Sequence, residues 1–181
     1  MCCDGALEKL LRIGIQPNVV IGDCDSISEE RRQQFKDIII EDQNEEYNDL
    51  QKALKYCLRQ QFGPVAVLGT SGLRDDHQLA NLSILNMYSE TMDLIMVSNY
   101  GIFTFIDKDT TFASIPRQEV SVFSFDGQAL FSFSGLQYPV HNRRFAQLWE
   151  GSLNKALGNS FTITLNNGRG VVFREFCQLA N

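Results

Sequence analysis

From Gly5 to about Asp107 short apolar runs alternate with helical segments, and beyond Asp107 the helical period vanishes. Ala6-Leu7 and Leu10-Leu11 keep a helical spacing up to Gly14, and Val19-Val20-Ile21 is a buried-strand run closed by Gly22-Asp23. Ser28 is a candidate N-cap for a polar helix reaching Lys36, and Ile38-Ile39-Ile40 is the next strand. Tyr47, Leu50, Leu54, Cys57 and Leu58 recur at spacings of three and four, which predicts an amphipathic helix ending before Gly63-Pro64. A strand over Val65 to Leu68, a long helix through Leu79, Leu82 and Leu85, and a strand over Leu94 to Val97 complete the series. Strands and helices alternating in this way imply parallel βαβ units with helices on both faces.

The remainder reads as β-rich. Phe112 to Ile115, Val120 to Phe125, Ala129 to Phe133, Phe161 to Leu165 and Val171 to Phe176 are separated by turn signals, among them Asp126-Gly127. Asn166-Asn167-Gly168 predicts a hairpin between Leu165 and Arg169. Most of the 13 phenylalanines lie beyond residue 110, which suits a small sandwich with an aromatic core. The fold class expected is therefore α/β: a Rossmann-like parallel-sheet domain over residues 1–107, then a C-terminal all-β sandwich domain over residues 108–181.

A chain of 181 residues, 44% hydrophobic, can bury a core without disulfides or metal staples. Its 22 acids against 16 bases leave a net charge of -6, which argues against nucleic acid as a partner. No run of 18 apolar residues offers a membrane span. The five cysteines, Cys2, Cys3, Cys24, Cys57 and Cys177, show no C-x-x-C spacing, so a cytoplasmic protein without a disulfide framework or zinc site is expected. No signal-peptide pattern stands at the N-terminus. Met1 to Asp4 reads as the tail of a strand feeding directly into Gly5 and the first helix.

Three strand ends carry chemistry. Gly22-Asp23-Cys24-Asp25-Ser26 puts two carboxylates where parallel sheets open their ligand crevice, and such a pair suits a hard divalent cation, Mg²⁺, beside phosphate oxygens. It serves equally as a polar turn with Asp25 or Ser26 as a cap. In the second, Asp42-Gln43 to Lys52, Asn48 can cap the helix and Asp49 can favour its dipole; beside the first pair, Asp49 is also a third oxygen ligand. The third, Gly69 to His77, combines small residues with Arg74, a fork for phosphate oxygens that Asp76 can fix, and it lacks the spacing of a Walker loop.

In order and spacing G-D-x-D-S, then D-Q with an Asp-containing helix start, then a glycine-rich R-x-D-H loop resemble the thiamine pyrophosphokinase (thiamine diphosphokinase) family. Cys3-Asp4-Gly5-Ala6 is similar to its opening turn, and Gly135-Leu136-Gln137-Tyr138-Pro139-Val140 to its G-L-K-W-P-L segment. The resemblance implies an α/β catalytic domain joined to a β-sandwich, a homodimer with sites at the subunit interface, and transfer of diphosphate from ATP to thiamine. Asp23, Asp25 and Asp49 would then organise Mg²⁺ and the ATP triphosphate, with Arg74, Asp76, Lys52 and Ser26 on the phosphate side. Asp4, Gln43, Tyr138, Ser152 and Asn154 would lie on the thiamine side, Tyr138 standing where members carry a stacking tryptophan. Leu73 replaces a family glycine, and Leu153 separates Ser152 from Asn154 where members have an adjacent pair.

Two rivals fit the same residues. A haloacid-dehalogenase-type phosphohydrolase would use Asp23 as nucleophile and Asp25 as general acid, although Ser26 stands where a threonine or valine is usual. A catalytically inactive thiamine- or nucleotide-binding module would keep the crevice without turnover. On the kinase reading, the acid excess at the strand ends predicts poor binding of an anionic triphosphate without Mg²⁺.

Overall fold

The computed structural model describes residues 1–72 and 74–176; Leu73 and Cys177 lie outside the described residues. In chain order the elements are β1 (Cys2–Cys3), α1 (Leu7–Arg12), β2 (Val20–Gly22), α2 (Glu29–Phe35), β3 (Ile39–Glu41), α3 (Asp49–Arg59), β4 (Val65–Leu68), α4 (Asp75–Tyr88), β5 (Leu94–Val97), β6 (Gly101–Ile106), β7 (Thr110–Ala113), β8 (Glu119–Phe123), β9 (Leu130–Ser134), β10 (Arg143–Arg144), β11 (Asn154–Lys155), β12 (Ser160–Asn166) and β13 (Gly170–Glu175). They form a mixed α/β chain that divides into two compact units, Met1–Phe62 and Gly63–Asn181.

The first unit is a three-stranded parallel sheet, β1-β2-β3, with Cys3 opposite Ile21 and Ile21 opposite Ile40. Central β2 is buried at all three residues, the continuous apolar run that a strand covered on both sides requires. Cys2, Leu7, Val20, Cys24, Ile27 and Phe35 make its core, and α3 packs Ala53, Leu54 and Cys57 inward. Two helix starts follow from local chemistry. Ser28 accepts the Arg31 N–H, and Asn48 closes a reciprocal capping box with Gln51. The box starts α3 at Asp49, so Tyr47 stands before the helix rather than on its apolar face.

The second unit holds a six-stranded sheet, β11-β8-β13-β6-β5-β4, and a four-stranded one, β10-β9-β12-β7. Strands β4 and β5 run parallel, and β6 turns back antiparallel on β5 through Ser98, whose Oγ accepts the N–H groups of Tyr100 and Gly101. Buried residues from both sheets share one aromatic core, in which Phe131 stacks on Phe145 at 5.0 Å and Phe112 on Phe161 at 5.2 Å. The hairpin expected at Asn166-Asn167-Gly168 is not one. Both Asn167 and Gly168 have positive φ, as the turn requires, yet β12 pairs with β7 and β9 while β13 pairs with β6 and β8. The turn presses against Ala129, whose backbone nitrogen lies 2.8 Å from any Cβ placed on Gly168, and the chain passes from one sheet to the other instead of folding back on itself.

Candidate active site

The site grows from the carboxyl ends of β1, β2 and β3. The β1 strand delivers Asp4 into a short helical turn, where it is only 4% exposed. A carboxylate removed from water must be hydrogen-bonded, and here Oδ1 accepts the Gly5 N–H at 2.6 Å and Oδ2 the Cys24 N–H at 2.9 Å. Cys24 can offer its N–H because it adopts φ 65°, the left-handed conformation, buried between Asp23 and Asp25. That kink turns the chain after β2 and sets Asp23, whose Oδ1 accepts the Asp25 N–H at 3.1 Å, beside Asp4. The capping box then brings Asp49 to the same place. Carboxylate oxygens of Asp4, Asp23 and Asp49 lie within 4.8 Å of one another.

Three acids at this spacing repel. Burial, the negative charge of Asp4 and Asp23 and a hydrogen bond with Asp4 push the Asp49 carboxyl above its ordinary range, and Lys52 opposes the shift. Lys52 is 3% exposed, with Nζ 3.6 Å from Asp49 Oδ1. Burial, followed by the Asp49 carboxylate, pushes the neighbouring Cys3 thiol up to about 12, which keeps it protonated and unreactive. A hard divalent ion fits this donor set: oxygen ligands only, converging, with more negative charge than one lysine balances.

A cavity of about 310 Å³ opens over the acids, lined by Asp23, Asp25, Gln43, Glu45, Tyr47, Asn48, Asp49 and Lys52. Of the residues expected from the sequence it thus gathers Asp23, Asp25, Gln43, Asp49 and Lys52, with Asp4 beside Asp23 and Asp49. Gln43 donates its amide N–H to the Asp23 carbonyl at 3.2 Å and to Glu41. Both partners are acceptors, so the amide nitrogen must face them and Oε1 is left to accept from a ligand. Ser26 is exposed on the turn after Asp25 and does not line the cavity. Glu45 and Tyr47 were not expected; the capping box alone could have announced that the residues before Asp49 form a rim.

The other expected residues belong to the second unit. Arg74, just before α4, holds Asp76 with two hydrogen bonds of 3.1 and 2.6 Å, and this pairing keeps the Asp76 carboxyl below the ordinary range. Asn154, 4% exposed, accepts the Tyr138 N–H at 3.0 Å and donates to the Tyr138 carbonyl at 2.8 Å, while the Tyr138 side chain stays 59% exposed. Ser152 donates its hydroxyl to the Trp149 carbonyl. Leu153 between them adopts φ 59° and is 76% exposed.

Known proteins resemble the chain in sequence and in fold. The family profile "Thiamin pyrophosphokinase, catalytic domain" matches residues 1–96, and "Thiamin pyrophosphokinase, substrate-binding domain" matches residues 101–173. The chain is 27% identical over 103 residues to thiamine pyrophosphokinase 1 of Oryza sativa subsp. japonica, covering 51% of this chain and 39% of the rice protein. It is 26% identical over 155 residues to thiamine pyrophosphokinase of Bacillus subtilis (strain 168), covering 77% and 69%. The crystal structure of thiamine pyrophosphokinase from Bacillus subtilis superposes with a TM-score of 0.80 at 21% identity, over 97% of this chain and 86% of that one. The matches favour neither the phosphohydrolase nor the inactive-module reading.

Proposed function

The chain belongs to the thiamin pyrophosphokinase family, and from that premise we propose that it transfers the terminal diphosphate of ATP to the hydroxyethyl group of thiamine, giving thiamine diphosphate and AMP. The observation that carries this reading is the meeting of Asp4, Asp23 and Asp49 at one strand edge of a chain matched by the family over both its parts.

Mg²⁺ would be held by Asp23 and Asp49, whose oxygens converge with those of Asp4, together with Asp25 at the cavity rim, and when bound it supplies positive charge against the polyphosphate. The chain's own groups do the rest. Asp4 contributes negative charge beside Asp23 and Asp49 and fixes the Cys24 kink through its backbone bonds. Lys52 balances part of the carboxylate charge and offers a donor inside the cavity, and Ser26 is a phosphate-side candidate on the exposed turn outside its lining. Arg74, paired with Asp76 through two hydrogen bonds, presents a planar fork to phosphate oxygens. On the thiamine side stand Asp4, Gln43 with its free acceptor, Tyr138 with an exposed ring, Ser152 and Asn154. The thiamine hydroxyl attacks the β-phosphorus in line with the departing AMP oxygen, and catalysis consists mostly of positioning and charge stabilisation.

In this reading residues 1–107 form a Rossmann-like catalytic domain and residues 108–181 a β-sandwich that takes thiamine and a second copy of the chain. The shared core of the two sheets supports the sandwich, and the parallel ladders β1-β2-β3 and β4-β5 support the Rossmann-like part. The protein works as a homodimer with sites at the subunit interface. A cytoplasmic location suits its free Cys2, Cys3, Cys24 and Cys57. Among the described residues no helix is long and apolar enough to cross a membrane.

Incubation with Mg-ATP, with and without thiamine, and separately with a generic phosphate ester, tests the reading. AMP formed only with thiamine is the expected result; ester hydrolysis without it would replace the kinase by a phosphohydrolase. Binding without products would leave an inactive module.

A further inference from the structure

We infer that Tyr47 is a specificity-determining contact for the organic cation of the reaction, its ring forming the wall on which a heteroaromatic ring of thiamine lies; this rests on the function proposed above. Of the residues lining the cavity, Tyr47 is the one with an aromatic ring. Its neighbours are four carboxylates, from Asp23, Asp25, Glu45 and Asp49, the amides of Gln43 and Asn48, and the ammonium of Lys52. Such a lining attracts a cation and offers a planar ring one apolar surface to lie on.

The ring is held in place. Lys55, in the second turn of α3, sets its ammonium 3.1 Å from the Tyr47 ring centroid. Lys55 does not line the cavity and Tyr47 does, so the cation that holds the ring stands outside the lining to which Tyr47 belongs. The capping box of Asn48 and Gln51 fixes the backbone on the next residue, and Tyr47 itself is half-buried. A ring immobilised before the ligand arrives loses little entropy on stacking. Thiamine carries a positively charged thiazolium and a neutral aminopyrimidine, and Gln43 Oε1 in the same lining is free to accept from an amino group. The polyphosphate is met through Mg²⁺ and Lys52 and not through an uncharged ring, so Tyr47 discriminates for the planar cationic substrate rather than for the phosphates of the nucleotide.

Tyr47→Ala, Tyr47→Leu and Tyr47→Phe variants test the inference, by steady-state kinetics in both substrates and by direct thiamine binding without ATP. Tyr47→Ala and Tyr47→Leu are expected to raise the KM for thiamine and to weaken direct binding about 3- to 10-fold. The KM for ATP and kcat should stay within about twofold, because stacking is uniform binding. Tyr47→Phe should match the wild type, since the ring and not its hydroxyl is used. A Tyr47→Leu protein that melts like the wild type yet keeps its thiamine KM overturns the inference, as does an equal rise in the KM for ATP. If the wild type forms no AMP with thiamine but binds it, the function fails and the binding comparison still decides Tyr47; if it does neither, both fall.

Discussion

The carboxylate of Asp4 fills the space that a side chain on Gly22 would need. A Cβ built on Gly22 would stand 2.5 Å from Asp4 Cγ and 2.7 and 2.8 Å from its two oxygens. The glycine of the G-D-x-D run is therefore a matter of room: β2 has to pass close enough to β1 for the buried acid to reach the Cys24 N–H. Asp23 and Asp25 follow directly, so the backbone at Gly22 and the charge at Asp4 form one construction.

Gly22→Ala should accordingly act at the site without touching a ligand. The new methyl group displaces the Asp4 carboxylate from the N–H groups of Gly5 and Cys24, a loss of about 1–3 kcal/mol in stability. Thiamine-dependent AMP formation should fall by at least about 100-fold as Asp23 moves. Gly5→Ala is the control, because its Cβ meets nothing nearer than Ser26 Oγ at 3.8 Å. Thermal unfolding and turnover of the two variants, measured together, check this; a Gly22→Ala protein as active as Gly5→Ala would refute it.

Much of the frame was legible because it is local. The N-caps Ser28 and Asn48, with the apolar spacing that follows Asn48, announced α2 and α3, and Met1 to Asp4 announced the short β1. Two kinds of feature were not. Strand β6 follows β5 after a tight turn and is an apolar run broken only by Thr104, so nothing in its own composition separates it from the α/β part, and its pairing joins Ile106 to Gly170 and Gly101 to Glu175, far along the chain. The Asn167-Gly168 turn has hairpin chemistry, but which strands it joins is decided by the packing against Ala129. At the site, the acids after β2 were visible as a motif. The left-handed Cys24 that aims them was not, because a buried, non-glycine residue at positive φ is stabilised by a distant partner, Asp4.

Asp25→Asn should abolish thiamine-dependent AMP formation while leaving the fold intact. Its side chain is exposed at the cavity rim, so its loss removes charge and costs little packing. The far-ultraviolet circular dichroism and melting point should match the wild type. Full activity in this variant would remove Asp25 from the metal set.

Asn154→Ala probes the second unit. The buried amide bonds both the N–H and the carbonyl of Tyr138, and removing it leaves those backbone groups unpaired, at a cost of about 1–3 kcal/mol. With the tether gone, the exposed Tyr138 ring loses its fixed position, and the KM for thiamine should rise severalfold with the KM for ATP unchanged. A destabilised variant with an unaltered thiamine KM would confine Asn154 to a structural role.

The crowded acids make a pH prediction whose sign is opposite to that of a salt-bridged carboxylate. Burial and the charges of Asp4 and Asp23 raise the folded-state pKa of Asp49, while the unfolded value stays at about 3.9. Between these two values the native state binds more protons than the unfolded one, so stability falls as pH rises through that window and is lowest, as far as Asp49 is concerned, above it. In the presence of a chelator, Asp49→Asn should therefore melt higher than the wild type at neutral pH, and the difference should vanish as the pH drops below about 3.9. Lys52→Met should have the reverse effect, because it removes the cation that lowers the Asp49 pKa. Adding Mg²⁺ at about 100 times its dissociation constant should stabilise the wild type by about 2.7 kcal/mol and Asp49→Asn far less. Unfolding midpoints across a pH series, with chelator and with Mg²⁺, measure all three; a wild type that melts above Asp49→Asn at neutral pH without metal would show that the acids are not in conflict.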